Sequence, residues 1–318
     1  MAVHGNLSHA MRDNYNEHGV DEYYRKVAAS YRNPFFPGIK KVVWTFMNKW
    51  WEAEGRELFE EQSVEAKKGL KILDMAAGSG EATICLLDWA KSPSPSPASP
   101  VTPQTPADPL AFLRSNPAAS SSSRPAFVPP SRKPVAPPQR ASASSSGAGR
   151  KVFGNAIPPT LPEGFEIDIM ATDPYTSPAY SDRTSRPCHP LSFTDLAQGQ
   201  LPPSASETVE PHGNEPIWDI VICSFALHLV TDPSELFALL YELSGKARWL
   251  VIVAPHKKPE IKETWGWSRW DIASWSAAGN EKLYAGKKSK SEEDDEEETA
   301  LEIVRDKTRL RVYRSNAF

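Results

Sequence analysis

The 318-residue chain contains no uninterrupted apolar run of about 18 residues, so its sequence offers no membrane-spanning helix. Its first twenty residues, MAVHGNLSHAMRDNYNEHGV, lack the apolar stretch of a secretory signal. Cysteine is scarce. Cys85, Cys188 and Cys223 show no C-x-x-C spacing and cannot all pair with one another, which fits a reduced compartment better than a disulfide scaffold or a zinc site. No metal-ligating pattern takes its place. Neither charge sign dominates either: 36 Lys and Arg stand against 40 Asp and Glu. No global field therefore draws nucleic acid or an anionic membrane to the chain. These absences point to a reduced compartment, cytoplasm or nucleus, and away from membrane and nucleic-acid partners. They leave the oligomeric state open.

Proline is abundant. The chain has 30, more than half of them between residues 92 and 162. There "KSPSPSPASPVTPQTPADP" and "SSSSRPAFVPPSRKPVAPPQRASASSSGAG" remove backbone donors and supply little to bury, so no core offsets the ordering entropy. This composition reads as a disordered insertion over 92–162. Within it Ser92, Ser94, Ser96, Ser99, Thr102 and Thr105 each precede proline and suit proline-directed phosphorylation, although an unmodified spacer fits equally. Residues 1–91 then hold an N-terminal helical segment and a first βα unit, and 163–318 the remainder of the domain. Polar loops are expected near 199–216 and at 286–298, where a basic cluster meets an acidic run.

The remaining pieces alternate in type. Ile39, Val42, Val43, Phe46 and Trp50 recur at helical spacing. "LKILDM" is a short buried strand, followed by a helix in "GEATICLLDWA". "FEIDIMATD" is a second strand, "HPLSFTD" a third, and "IWDIVICSFAL" the clearest of all. "DPSELFALLYELSG" is a helix started by Asp232 and stopped by Gly245, and "ARWLVIVAP" another apolar strand. The two-residue alternation of "ALEIVRDKTRLRVYRS" suits a terminal antiparallel strand or hairpin. Fully apolar strands separated by helices predict an α/β fold: a Rossmann-like, mostly parallel sheet with helices on both faces.

Ligands of open α/β sheets bind beyond the carboxyl ends of the strands. At those ends the sequence expects Asp74, Asp173 and Asp195, with Ser224, Phe225 and His228 after the next strand. The small residues at 76–80 allow a ligand close to the backbone. Asp173 is placed to accept both hydroxyls of a ribose, and Asp195 to accept from an adenine amine. The loop Gly78-Ser79-Gly80-Glu81-Ala82-Thr83 is not the G-x-G-x-x-G of dinucleotide enzymes, and Asp74 and Glu81 would repel a pyrophosphate. The absence of G-x-x-x-x-G-K-[ST] removes a P-loop as well.

These residues resemble the class I S-adenosylmethionine-dependent methyltransferases, from about residue 70 to the C-terminus with interruptions. "LDMAAGSG" is similar to the family's D-x-G-x-G-x-G loop, with Ala76 in place of the first glycine. The resemblance implies S-adenosyl-L-methionine as cofactor. By it, Asp74, Ala76, Gly78 and Gly80 lie at the methionine end, Asp173 at the ribose, Asp195 and Leu196 at the adenine, and Ser224 and Phe225 beside the transferred methyl. With the insertion over 92–162 discounted, Asp74 and Asp173 lie 28 residues apart, a gap of the order of the usual ≈ 20 rather than 99. The insertion then falls in a helix-to-strand connection, away from the ligand edge.

An N-terminal lid is open to two readings. Tyr23, Tyr24 and Tyr31, with Asn33-Pro34, would fold across the cofactor or simply pack on the sheet. His228 and His256 both follow strands at the ligand edge and are candidate general bases. Each is also readable as a packed or solvated imidazole. Trp265, Trp267, Trp270 and Trp275 would wall an acceptor pocket or staple the sheet edge. With no N-P-P-Y or D-P-P-Y after the fourth strand, a small-molecule or protein methyl acceptor is favoured over nucleic acid. The competing expectation is a non-catalytic protein of the same fold, binding or regulating through its insertion.

Overall fold

The computed structural model describes residues 20–27, 30–61, 69–91, 153–154, 156–203, 216–279 and 299–318. All of them belong to one unit of the chain. Among the described helices none is long and apolar enough to cross a membrane.

Four strands build the parallel part of the sheet: β1 (Gly69–Met75), β2 (Glu166–Thr172), β3 (Trp218–Ser224) and β4 (Ala247–Ala254). They lie in the order β2-β1-β3-β4. Antiparallel strands complete it: β5 (Trp267–Asp271), β6 (Ser276–Ala277), β7 (Ile303–Arg305) and β8 (Thr308–Ser315). β8 pairs with β4 on one side and with β5 and β7 on the other. The expected Rossmann-like architecture, with a terminal antiparallel hairpin, is what the chain adopts. The hairpin turns through Asp306 and Lys307 at φ of 49° and 60°, the two left-handed residues that a type I′ turn requires.

Residue parity divides the core. Leu70 and Ile72 of β1, Ile220 and Ile222 of β3, and Val251 and Val253 of β4 face one cluster. Leu73 and Met75, Val221 and Cys223, and Leu250 and Ile252 face the other. Alternation of this kind follows from the pleat, and because both faces are covered the positions of both parities are apolar through the middle of each strand.

The first face is covered by two helices, α1 (Val20–Val27) lying outside it in sequence order, α2 (Phe36–Trp50) and, after α3 (Arg56–Glu61) and β1, α4 (Glu81–Lys91). In α2, Ile39, Val42, Val43, Phe46, Met47 and Trp50 point inward and are 2% exposed or less. Each contributes roughly 1.5–3 kcal/mol by its burial. Gly38 lets α2 approach the hairpin, since a Cβ there would meet Thr308 Oγ1 at 2.4 Å. Between α2 and α3 the helix widens into a π-turn, Trp51–Gly55. That turn presents Glu54 to the indole N–H groups of Trp249 and Trp275, at 2.9 and 3.2 Å, and to Arg314 at 3.1 Å.

α5 (Ser177–Thr184) sets Tyr180 against Ala77, Ala171 and Thr83 of α4, while α6 (Phe193–Ala197) and α7 (Pro233–Ser244) cover the other face. Asp232 caps α7 by accepting from the Ser234 amide, as expected; Gly245 ends it at φ −82°, without the left-handed turn glycine usually supplies there. "HPLSFTD" departs from expectation. It is not a strand: only His189 makes a single bridge, to Thr172, and Phe193 begins α6. The Ser192 hydroxyl accepts from the Asp195 amide while the Asp195 carboxylate takes the Ser192 amide, a reciprocal capping box that fixes a helix start.

The tryptophan-rich stretch also resolves. Trp267 and Trp270 belong to strand β5, with Trp267 fully buried and its indole donating to the Leu240 carbonyl. Trp270 and Trp275 pack their rings 5.1 and 5.0 Å from that of Trp249. The tryptophans staple the sheet edge, and none of the four walls the cavity described below.

The insertion expected over 92–162 lies outside the described residues up to 152. Its final part is packed: Phe153 is 3% exposed, Leu161 lies on the first core, and the Ile157 carbonyl accepts from Asn48. Most of the loop expected near 199–216 and the whole of 286–298 lie outside the described residues.

Candidate functional site

A cavity of about 480 Å³ opens beyond the carboxyl ends of β1, β2 and β3. The chain steps from β1 out to β2 and then returns to place β3 on the opposite side of β1. The cavity therefore sits at the point where strand order reverses, the location favoured for ligands in such sheets.

The loop from β1 to α4 forms its floor. Ala76, Gly78 and Gly80 have φ of 54°, 60° and 84°. Glycine is required at Gly80, where a Cβ would meet Thr184 Cγ2 at 2.5 Å and the Tyr180 ring at 3.2 Å. Ala76 holds the same left-handed region with a methyl group, at a cost of about 1 kcal/mol. Ala76, Ala77 and Gly78 line the cavity and Gly80 does not.

Asp74 stands behind this loop rather than in the cavity. Its carboxylate is fully buried, and Oδ2 accepts from the Thr83 amide at 3.1 Å and the Thr83 hydroxyl at 2.6 Å, closing the start of α4. Oδ1 has no partner. Burial raises this carboxyl to about 7, against the pull of both Thr83 hydrogen bonds. The resemblance placed Asp74 at the methionine end of the cofactor; the side chain instead reaches α4 and does not line the cavity.

Asp173, following β2, does line it. Oδ1 accepts from the Tyr175 and Thr176 amides at 2.9 and 2.8 Å, and Oδ2 from the Gly78 amide at 3.0 Å. Thr176 returns a hydrogen bond to the Gly78 carbonyl at 2.7 Å. The glycine loop is thus clamped at both ends of one residue by the β2 loop. A carboxylate offers about four lone-pair positions. Three are engaged here, so one remains, where the sequence reading expected room for two ribose hydroxyls.

Ser224 ends β3, and Phe225 follows it at φ 58°, a conformation unusual for so bulky a side chain. Both line the cavity. Phe225 stacks on Phe35 with ring centroids 5.2 Å apart. Two buried hydroxyls at the cavity, Ser224 Oγ and Thr172 Oγ1, have no hydrogen-bond partner. Such groups are costly to leave unmet in a folded protein, and they suit a polar ligand.

Asp195 and Leu196 are absent from the lining. The Asp195 carboxylate is held by the Ser192 amide and hydroxyl at 2.8 and 2.7 Å, which also lower its pKa. Leu196 is buried in the second core. Their neighbours Ser192, Phe193 and Thr194 face the cavity instead, because the capping box turns the chain into a helix there. The S-x-x-D pattern of Ser192 and Asp195 was the local signal for this.

His228 and His256 also stand outside the lining. Their rings meet edge to face at 4.7 Å. Burial, and secondarily His256, lower His228 to about 4, so it is neutral at pH 7 and its Nδ1 has no partner. His256 sits on an exposed loop braced by Arg311, which donates to the carbonyls of Lys257, Lys258 and Pro259 at 2.6–2.9 Å.

The N-terminal segment contributes what sequence patterns alone did not specify. Tyr31 and Asn33 line the cavity. Tyr23 is buried with Val27 and Tyr31 in a small cluster of its own, and the Tyr24 side chain lies outside the described residues. Glu81, the first residue of α4, lines the cavity too and is 4% exposed. Its Oε1 accepts from Asn33 N at 3.0 Å, Ser79 Oγ at 2.7 Å and Arg183 at 2.7 Å.

The molecule is therefore a Rossmann-like α/β protein with one developed ligand cavity, among the described residues, at its topological switch point. No protein-family profile matches the chain. Over 277 residues it is 34% identical to an uncharacterized protein of Schizosaccharomyces pombe, covering 86% of each. The chain belongs to the same family as that protein.

The solved structures to which the chain is similar include three methyltransferases. Magnesium protoporphyrin IX methyltransferase of Synechocystis PCC 6803, solved with bound S-adenosylmethionine, is 12% identical with a TM-score of 0.34, over 98% of this chain and 100% of that one. The sugar N-methyltransferase of Streptoalloteichus sp. ATCC 53650 is 13% identical with a TM-score of 0.28; the match covers 79% of this chain and 56% of that enzyme. Mitomycin 7-O-methyltransferase is 10% identical with a TM-score of 0.31, over 96% of this chain and 74% of that one.

Proposed function

We propose that this protein is a methyltransferase that uses S-adenosyl-L-methionine and acts on a small molecule or a protein. The observation that carries the reading is the chemistry of the glycine loop. Where a dinucleotide enzyme offers free amides to a pyrophosphate, this chain has Asp74 on the Thr83 amide and Glu81 at the first position of α4. The loop suits an uncharged or cationic group, as at the amino-acid end of a sulfonium cofactor. S-adenosylmethionine, when bound, supplies an electrophilic methyl group.

The residues fit that ligand in a stated way. Ala77 and Gly78 would meet its amino-acid end, and Asp173 would accept one ribose hydroxyl on Oδ2. Ser192, Phe193 and Thr194 would surround the base. Ser224 and Phe225 would flank the reacting end, with Phe35 behind Phe225 excluding water. No histidine, lysine or arginine lines the cavity among the described residues. The chain's contribution is then positioning, worth several kcal/mol where reacting atoms are held in line.

The test is a calorimetric titration with S-adenosylhomocysteine. Binding by the wild type that Asp173→Ala abolishes is expected; no heat from the wild type overturns the reading. The position of both histidines outside the cavity favours, as a second reading, a binding or regulatory module without turnover. A tritiated-methyl assay over protein, RNA and small-molecule fractions separates the two. Cofactor binding with no labelled product in any pool selects the second.

A further inference from the structure

Glu81 and Arg183 do something that neither the loop nor the cofactor reading accounts for. Glu81 is almost completely buried, yet its carboxylate is directed at the N-terminal segment. It accepts from the Asn33 amide 48 residues away in sequence. Arg183, on α5, reaches across to the same oxygen at 2.7 Å and to Ser79 Oγ at 3.1 Å, and its guanidinium lies 5.1 Å from the Phe36 ring centre. One carboxylate oxygen thus ties together the glycine loop, the helix after β2 and the segment ahead of α2.

That segment covers one side of the cavity. Tyr31 lies against Gly78, where an added Cβ would stand 3.2 Å from Tyr31 Cε1. Asn33 Oδ1 accepts from the Phe35 amide at 2.9 Å and the Phe36 amide donates to the Asn33 carbonyl at 3.3 Å, a compact turn with Asn33 at its head. The turn sends Phe35 onto Phe225. Glu81 adds a hydrogen-bonded link between the turn and the glycine loop, from the Asn33 amide and from Ser79 Oγ to one oxygen. A ligand seated on Ala77 and Gly78 has Tyr31 and Asn33 against it, so the position of the turn bears on its entry and exit.

We propose that the Glu81–Arg183 pair latches residues 31–36 over the glycine loop and so sets the rate at which ligand exchanges with solvent. Arg183 is a positioning residue: it acts through Glu81 and the turn and does not line the cavity. The ligand is taken from the functional reading above, and the experiment separates the two claims.

A latch differs from a structural prop in its kinetics. Releasing a latch speeds entry and exit together, whereas damage to the pocket speeds exit alone. Surface plasmon resonance with S-adenosylhomocysteine on the full chain is therefore run for wild type, Arg183→Ala and Arg183→Gln. Both rate constants rising at least fivefold, with the dissociation constant moving less than either, supports the latch. A rise in dissociation alone, or no change in either rate, overturns it. If Arg183→Ala fails to fold, Arg183→Gln, which keeps a neutral donor, carries the same expectation.

Amide hydrogen exchange of the unliganded protein tests the latch independently of any cofactor. Exchange of the Asn33 amide should rise at least tenfold in the variant while the sheet amides stay unchanged. An unchanged Asn33 amide overturns the proposal. If the wild type binds no S-adenosylhomocysteine, the functional reading fails, and the exchange result alone decides the latch.

Discussion

Asp74 makes the pH dependence of stability testable in one substitution. Its carboxyl is raised to about 7 by complete burial, while in the unfolded chain it would titrate near 3.9. The folded state therefore holds this proton more tightly. Stability falls as pH rises from about 4 to about 7, because the unfolded chain ionises first and the folded chain follows only at the cost of a buried charge. Each unit corresponds to at most about 1.4 kcal/mol, so from pH 5 to pH 8 the loss is about 3 kcal/mol.

Asp74→Asn removes the ionisation and keeps the geometry. The amide oxygen still accepts from the Thr83 amide and hydroxyl, and the new NH₂ falls where Oδ1 has no partner. The variant is expected to be less stable than wild type at pH 5, by the roughly 1–3 kcal/mol of an unmet buried donor, and to regain ground by about 3 kcal/mol by pH 8. Urea unfolding of both proteins at four pH values measures this. The difference between the two curves is the quantity to follow, because His228 tilts the wild-type curve the opposite way in acid. A difference independent of pH would refute the reasoning.

Three further outcomes follow from the packing. Gly80→Ala forces a left-handed alanine into Thr184 and Tyr180, so it should lower stability by about 2–4 kcal/mol in urea melts, while the same change at exposed Gly279 should cost under about 0.5. Glu54→Ala strands the indole donors of Trp249 and Trp275 together with partly exposed Arg314, an expected loss of about 2–3 kcal/mol, of which Glu54→Gln should recover roughly half; thermal melts decide it. The His228 ring should stay neutral by NMR until about pH 4, and since its folded pKa lies below the unfolded 6.5, its contribution to stability is lost as pH falls through that window; a midpoint near 6.5 would contradict the burial assigned to it.

Much of the sheet could be read from the chain because β1, β3 and β4 are apolar runs, broken near their starts only by Lys71, Asp219 and Arg248, that reach an acid, a serine or a proline. Their parallel order and the ligand edge then followed from the alternation of strands with helices. Gly78, Asp173, Ser224 and Phe225 were found on that edge and meet at the cavity. "HPLSFTD" misled because Leu191 and Phe193 alternate like a strand, while the side-chain bonds between Ser192 and Asp195 outweigh so weak a pattern. β5 gave no local sign, since "WSRWD" carries a polar core whose partner is remote: Arg269 bonds to Tyr313, 44 residues on. Tyr31 and Asn33 are marked in the sequence only by the aromatic segment ahead of the sheet, and Arg183 by nothing. Both meet the site across long separations, through Glu81, whose three hydrogen bonds no spacing announces.

The tryptophan cluster at the sheet edge has an optical consequence. Trp270 and Trp275 hold their indoles 5.1 and 5.0 Å from that of Trp249 at inclined angles, a geometry in which their electronic transitions couple with its own. The indole N–H groups of Trp249 and Trp275 share Glu54, and none of these rings lines the cavity. Near-ultraviolet dichroism of this protein should thus carry a strong signature of the antiparallel edge that vanishes when the fold is lost and stays silent when the cavity fills, an internal gauge of folding that occupancy does not disturb.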